Sequence, residues 1–127
     1  MAMAIERIGS NLAVICRSGE RVFALAGPSV REVCTDFQLV RMPGVAGPTE
    51  GVVNLRGTLI TVIRVEGEVG VPSRAETPSP WCVVVQGRDG RVGLGVDEVI
   101  DFDVPGPGVP TIDVDSVIEA VFGRETS

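Results

Sequence analysis

The stretch Gly51-Val52-Val53-Asn54-Leu55-Arg56-Gly57-Thr58-Leu59-Ile60-Thr61-Val62-Ile63 decides how the chain is read. Two runs rich in β-branched residues flank a short polar break, the composition of paired strands. Strands are therefore expected at Gly51–Leu55 and Thr58–Val65, joined by a tight turn at Arg56-Gly57. The second run is apolar at Leu59, Ile60, Val62, Ile63 and Val65, on both faces of a strand, which predicts burial from both sides. A polar-apolar-basic-glycine turn between apolar strands is uncommon, because arginine at a tight turn is ordinarily no more than a solvated tip.

Outward from this hairpin, punctuation is dense. There are 23 valines, 16 glycines and 9 prolines, a composition of short strands between frequent turns. Toward the N-terminus, Leu12–Arg17 and Arg21–Leu25 read as a hairpin around Ser18-Gly19-Glu20. Pro28 then opens a predicted helix, with Val30, Val33, Cys34 and Phe37 at i, i+3, i+4 and i+7. Leu39–Met42 is extended and stops at Pro43-Gly44. Toward the C-terminus, residues 67–80 are rich in Gly, Pro and Ser and mark an internal boundary. Trp81–Gln86 and Arg91–Val96 form a third hairpin, with strand character through Val104. Pro105–Pro110 is a rigid connector, and Thr111–Val114 a last short strand. Ser116-x-x-Glu119 reads as a capping box, and Val114, Val117, Ile118 and Val121 as the apolar stripe of a closing helix ended by Gly123. The expected fold is mainly β: two small barrels sharing one chain, with two short helices, in a single domain over 1–127. One subdomain is expected at about 10–66, a linker at 67–80 and a second subdomain at about 81–123.

Composition narrows the chemistry. The 127 residues carry a net charge of −6 and contain no histidine, lysine or tyrosine, so all 11 basic residues are arginine. Histidine-based triads, zincin helices, Walker A lysines and Schiff bases are excluded. The apolar fraction of 44% and mean hydropathy of +0.31 argue against disorder. No apolar run approaches the roughly 18 residues of a membrane span. Leu12–Cys16 reads as a first strand rather than a lipoprotein cleavage site, because Ile15 is too large to precede the cysteine. Without a secretion signal the expectation is a cytoplasmic protein. Cys16, Cys34 and Cys82 are odd in number, lack a CxxC and sit among apolar residues, so reduced, buried thiols are expected. Residues 97–127 hold eight carboxylates against Arg124 alone, a net −7, which disfavours nucleic acid and suits a basic partner or a solvated face.

Two further motifs invite chemistry. Gly87, Gly90, Gly93 and Gly95 lack GxGxxG spacing and open no helix, so they read as a turn and close strand packing. Asp101 with Asp103, and Asp113 with Asp115, pair carboxylates on one side of a strand. Such pairs can hold a divalent cation or act as acid and base, but no second catalytic group lies nearby and solvent-facing residues are the simpler reading.

The segment 51–63 resembles the signature of the CheW family, the coupling proteins of bacterial chemotaxis. The series continues through Val30-Arg-Glu-Val33, Arg41-Met-Pro-Gly44, Trp81-Cys-Val-Val-Val85, Val92-Gly-Leu-Gly-Val-Asp-Glu-Val99 and Ile112-Asp-Val-Asp115, covering roughly residues 12–122. The resemblance implies two SH3-like barrels around a shared core, no catalysis, no metal and no cofactor. It implies docking to the cytoplasmic helical tip of methyl-accepting chemoreceptors and to the regulatory domain of a CheA-type histidine kinase or other CheW-like proteins. Nucleic acid and membrane insertion have no part, and the expected location is cytoplasmic, at chemoreceptor arrays. By position, Val30, Glu32, Val33, Asn54, Leu55, Arg56, Gly57 and Val84 are the receptor-binding candidates, in an apolar groove with a few polar anchors. A Glu32–Arg56 salt bridge is expected to shape that groove.

Two departures stand out. Arg64 replaces the acidic residue usual there, and the region after Val104 is short by about one hairpin, roughly 15 residues. An incomplete second barrel exposes an edge strand, blunted here by Pro105, Pro107, Pro110 and nearby acids. The expectation is an adaptor that keeps receptor binding while kinase coupling is weakened. An ordinary receptor–kinase coupler, a metal-dependent enzyme using the paired aspartates, and an unrelated peptide-binding barrel are the alternatives.

Overall fold

The computed structural model describes residues 2–4, 12–41, 49–65, 79–88 and 90–122. Eleven strands run in chain order: β1 Ala2–Ala4, β2 Ala13–Ser18, β3 Arg21–Ala26, β4 Val30–Cys34, β5 Leu39–Val40, β6 Thr49–Leu55, β7 Thr58–Arg64, β8 Trp81–Gly87, β9 Gly90–Val96, β10 Glu98–Asp103 and β11 Thr111–Ile112. Among the described residues one α-helix, α1, spans Val114–Phe122. The strands form a seven-stranded sheet in the order β1-β4-β8-β9-β7-β6-β5 and a four-stranded sheet in the order β10-β2-β3-β11. The three expected hairpins are present: β2–β3, β6–β7 and β8–β9 are antiparallel neighbours.

The expected helix after Pro28 does not form. A 3₁₀ turn, Gly27–Ser29, leads directly into β4, which pairs antiparallel with β8. The helical spacing has a strand explanation. β4 is buried at every position except Arg31, and its register shifts between Val30 and Glu32. A strand buried on both faces, with one bulge, can place apolar residues at the same intervals as a helix. Two short helices were thus expected, and among the described residues one α-helix is found.

The middle of the seven-stranded sheet divides the interior in two. On one side, Val33, Ile63, Val83, Val85, Leu94 and Val96 join Val14, Phe23 and Leu25 of the four-stranded sheet in the larger core. On the other, Cys34, Ile60, Val62, Cys82 and Val84 pack with Val53. Successive residues of β7 and β8 therefore feed opposite cores, the double-sided burial expected of the Thr58–Val65 run; it holds from Ile60 onward, whereas Thr58 and Leu59 beside the turn are exposed, Leu59 by 69%. Close approach of these strands needs Gly93: a Cβ there would lie 2.6 Å from Cys82 Sγ and 3.2 Å from Val62 Cγ2.

The four-stranded sheet joins segments far apart in the chain. The β2–β3 hairpin is flanked by β10 on one side and, in parallel, by β11 on the other. The sheets therefore do not divide at residues 67–80. The helix seats Val114 and Val117 in the larger core, with Ile118 packed against it. Its cap is Asp113 rather than Ser116. The Asp113 carboxylate accepts from the Asp115 N–H at 3.3 Å and from the Ser116 hydroxyl at 2.8 Å, so the box lies three residues inside the true start. Pro43, Gly44, Gly123 and most of the 67–80 linker fall outside the described residues.

Candidate functional site

The β6–β7 turn builds the site. Arg56 and Gly57 both adopt positive φ, 51° and 87°, the conformation of a type I′ hairpin. Glycine takes this freely, but an arginine there is strained. The turn is braced by the Gly57 N–H, which donates to Asn54 Oδ1 at 2.8 Å. The Arg56 guanidinium reaches across to β4, where it donates from both terminal nitrogens to the two oxygens of Glu32, one bond at 2.9 Å. The expected ion pair is therefore present and bidentate, the geometry that makes arginine specific for carboxylates. The Glu32 side chain is only 7% exposed and that of Arg56 69%, so the pair joins the interior to the surface. The carboxylate holds the guanidinium above its already high ordinary pKa, chiefly by accepting its hydrogen bonds.

A cleft of about 370 Å³ opens nearby. One wall is the exit of β4, with Cys34, Thr35 and Phe37; the other is the end of β6, with Asn54 and Leu55; Val40 of β5 adds an apolar rim that is 64% exposed. Burial pushes the Cys34 thiol up to about 11, and the nearby Glu32 charge adds to the rise, so this cysteine is not a reactive thiolate.

The eight candidates fall into two groups. Glu32, Asn54, Leu55, Arg56 and Gly57 come together at this end of the sheet. Val30, Val33 and Val84 lie in the interior: Val30 and Val33 belong to the larger core, and Val84 pairs with Glu32 across β8 and β4 from the smaller one. None of the three lines the cleft. Sequence reasoning missed Phe37 and Val40, because Phe37 was assigned to a helix stripe and Val40 carries no motif.

A second polar cluster lies at the far end of β7. The buried Arg64 donates to Ser79 Oγ and to Asp97 Oδ1, each at 2.7 Å. Asp97 also accepts the Gly19 N–H of the β2–β3 turn at 2.7 Å, and Arg17 pairs with Glu98 at 3.2 Å. The arginine at 64 thus has an acidic partner that ties the two sheets together. Partial burial alone would raise the Asp97 carboxyl, but the Gly19 N–H and the charge of Arg64 outweigh it and hold the group below the usual carboxylate range.

The paired aspartates serve the backbone. Asp113 caps α1, Asp115 accepts the Arg88 N–H at 2.8 Å, and Asp101 and Asp103 accept the N–H of the residue following each. Among the described residues no three Cys, Asp or Glu side chains gather as a metal site, and no helix is long and apolar enough to cross a membrane.

Two sheets around a shared double-sided layer, with an arginine-braced turn, define a small two-sheet β domain. The model of the CheW-like domain matches residues 12–104, and the chain belongs to that family. It is a scaffold and coupling domain, not an enzyme. Similar curated proteins include a probable chemotaxis protein CheW of Rhizobium etli, 29% identical over 128 residues, with 98% of this chain and 83% of that protein covered. Another is a chemotaxis protein CheW of Rhizobium meliloti, 29% identical over 122 residues, covering 91% and 76%. Among solved structures, the scaffolding protein TtCheW of Thermoanaerobacter tengcongensis superposes with a TM-score of 0.71 at 22% identity, covering 93% of this chain and 98% of that one. The fold is accordingly that of CheW, with two SH3-like β-barrel subdomains. The family match ends at Val104, where Pro105 begins the connector.

Proposed function

We propose that this chain is a chemotaxis adaptor that docks the cytoplasmic helical tip of a methyl-accepting chemoreceptor in the cleft between β4 and β6, at receptor arrays in the cytoplasm. The observation that carries this reading is the bidentate Glu32–Arg56 pair on a strained turn beside a cleft that sets Phe37, Val40 and Leu55 among the polar Asp36, Gln38 and Asn54. Strain at an exposed turn suits a site whose side-chain placement matters more than local stability. A helix laid in the cleft meets Phe37, Leu55 and Val40, while Asn54 in the lining and Arg56 on the adjoining turn supply polar anchors that set its register.

The same reading includes weakened coupling to the CheA-type kinase. It is supported by the short connector 105–110 and by the four-stranded sheet, which has an edge at β10. The test is co-sedimentation with receptor cytoplasmic fragments, with and without kinase. The chain should pellet with receptor, Arg56→Asn should lower that affinity by about tenfold, and kinase alone should be retained weakly. Tight retention or activation of the kinase alone identifies an ordinary receptor–kinase coupler instead. An Arg56→Asn variant that binds receptor as the parent does removes this cleft as the docking site.

A further inference from the structure

We propose that the open edge of β10 is a strand-docking site for an extended segment of a partner protein in which arginine or lysine alternates with apolar residues. β10 pairs with β2 on one side and with no other strand among the described residues. Phe102 is the register partner of Val14, so it shares the face of the sheet that Val14 turns into the larger core. Yet Val14 is 0% exposed and Phe102 36%, while Val104 beyond it is 57% and Ile100 at the bulge 47%. The core-facing side of the sheet is thus uncovered at this edge.

The opposite face of β10 supplies the charge. Asp101 and Asp103 are register partners of Ile15 and Ala13, on the face that carries the small buried Ala13–Ile15–Ala24 cluster, yet at this edge both aspartates are exposed. Their carboxylates accept the N–H groups of Phe102 at 2.8 Å and Val104 at 2.7 Å. The edge amides are therefore occupied by side chains, which is how a native edge resists indiscriminate pairing. A second copy of the chain does not suit this edge. Antiparallel self-pairing that continues the sheet keeps like faces opposed, so Asp101 and Asp103 would meet their own equivalents, and like charges directly opposite are unfavourable. A strand with basic residues at those positions draws the carboxylates onto its own side chains, frees the Phe102 and Val104 amides for main-chain bonds and covers the apolar face with its alternate residues. The net −7 of residues 97–127 favours the same partner.

The probe is a fluorescent peptide of alternating arginine and valine, titrated against the full chain by anisotropy. Saturable binding is expected, weakened about tenfold or more when alternate backbone amides of the peptide are N-methylated and when its arginines are regrouped at one end. Phe102→Ser should weaken binding similarly, and the modified peptides keep the test valid if that variant does not fold. Equal binding of the N-methylated or regrouped peptide means diffuse charge attraction and overturns the proposal. So does sedimentation of the chain alone as a dimer that Phe102→Ser abolishes, because the edge then belongs to a second copy.

Discussion

Arg56 concentrates the functional argument at the residue scale. Its left-handed backbone disfavours the side chain it carries, and asparagine or glycine would suit the turn better. What the arginine adds is reach: it meets a carboxylate that is 24 positions away in sequence and almost buried. Asp97 plays a comparable part between the sheets and gives a prediction with a definite sign. Its folded-state pKa is depressed, so its stabilisation is present above the ordinary carboxylate pKa and lost as pH falls through the folded value. Asp97→Asn should therefore be less stable than the parent at neutral pH. The gap should close below roughly pH 4, as read from urea midpoints across that range. A gap that stays constant down to pH 2 would mean the charge contributes nothing.

Strands explain both the successes and the failure of reading this sequence. β2–β3, β6–β7 and β8–β9 were legible because each pairs adjacent segments across a turn with its own chemistry, such as Asn54-Leu55-Arg56-Gly57. β4 was misread because Val30, Val33 and Cys34 serve two cores from one strand, and that doubles the apolar positions until the period resembles a helix. The Glu32–Arg56 pair was reached through the order of family-like motifs, since nothing in local spacing links the two residues. The cleft was legible only at Asn54 and Leu55; Phe37 and Val40 were missed, because Val40 acquires its position only when β5 pairs with β6 and Phe37 was read as part of a helix stripe. The same double-sided packing makes Gly93 sensitive. Gly93→Ala should cost about 1–3 kcal/mol, since its Cβ meets Cys82 and Val62 between adjacent strands. Gly106→Ala, with open space around it, should stay within about 0.5 kcal/mol of the parent. Thermal melts of the two variants distinguish these outcomes.

For the whole molecule, the consequence of one layer serving two cores is cooperativity. Val62 and Ile63 are neighbours in sequence, both 0% exposed, and they face opposite cores; Val83 and Val84 repeat the arrangement on β8. Neither core can lose its packing without moving the strands that line the other. Segments distant in sequence are bound into the same unit, because the β2–β3 hairpin is flanked by β10 on one side and β11 on the other. Calorimetry should accordingly give one transition whose van't Hoff and calorimetric enthalpies agree. Ile60→Ala in the smaller core and Leu94→Ala in the larger should each cost about 2–5 kcal/mol, and each should shift that single transition as a whole. A variant that splits it into two peaks, leaving one at the parent's temperature, would show that the cores melt independently and that the shared layer does not couple them.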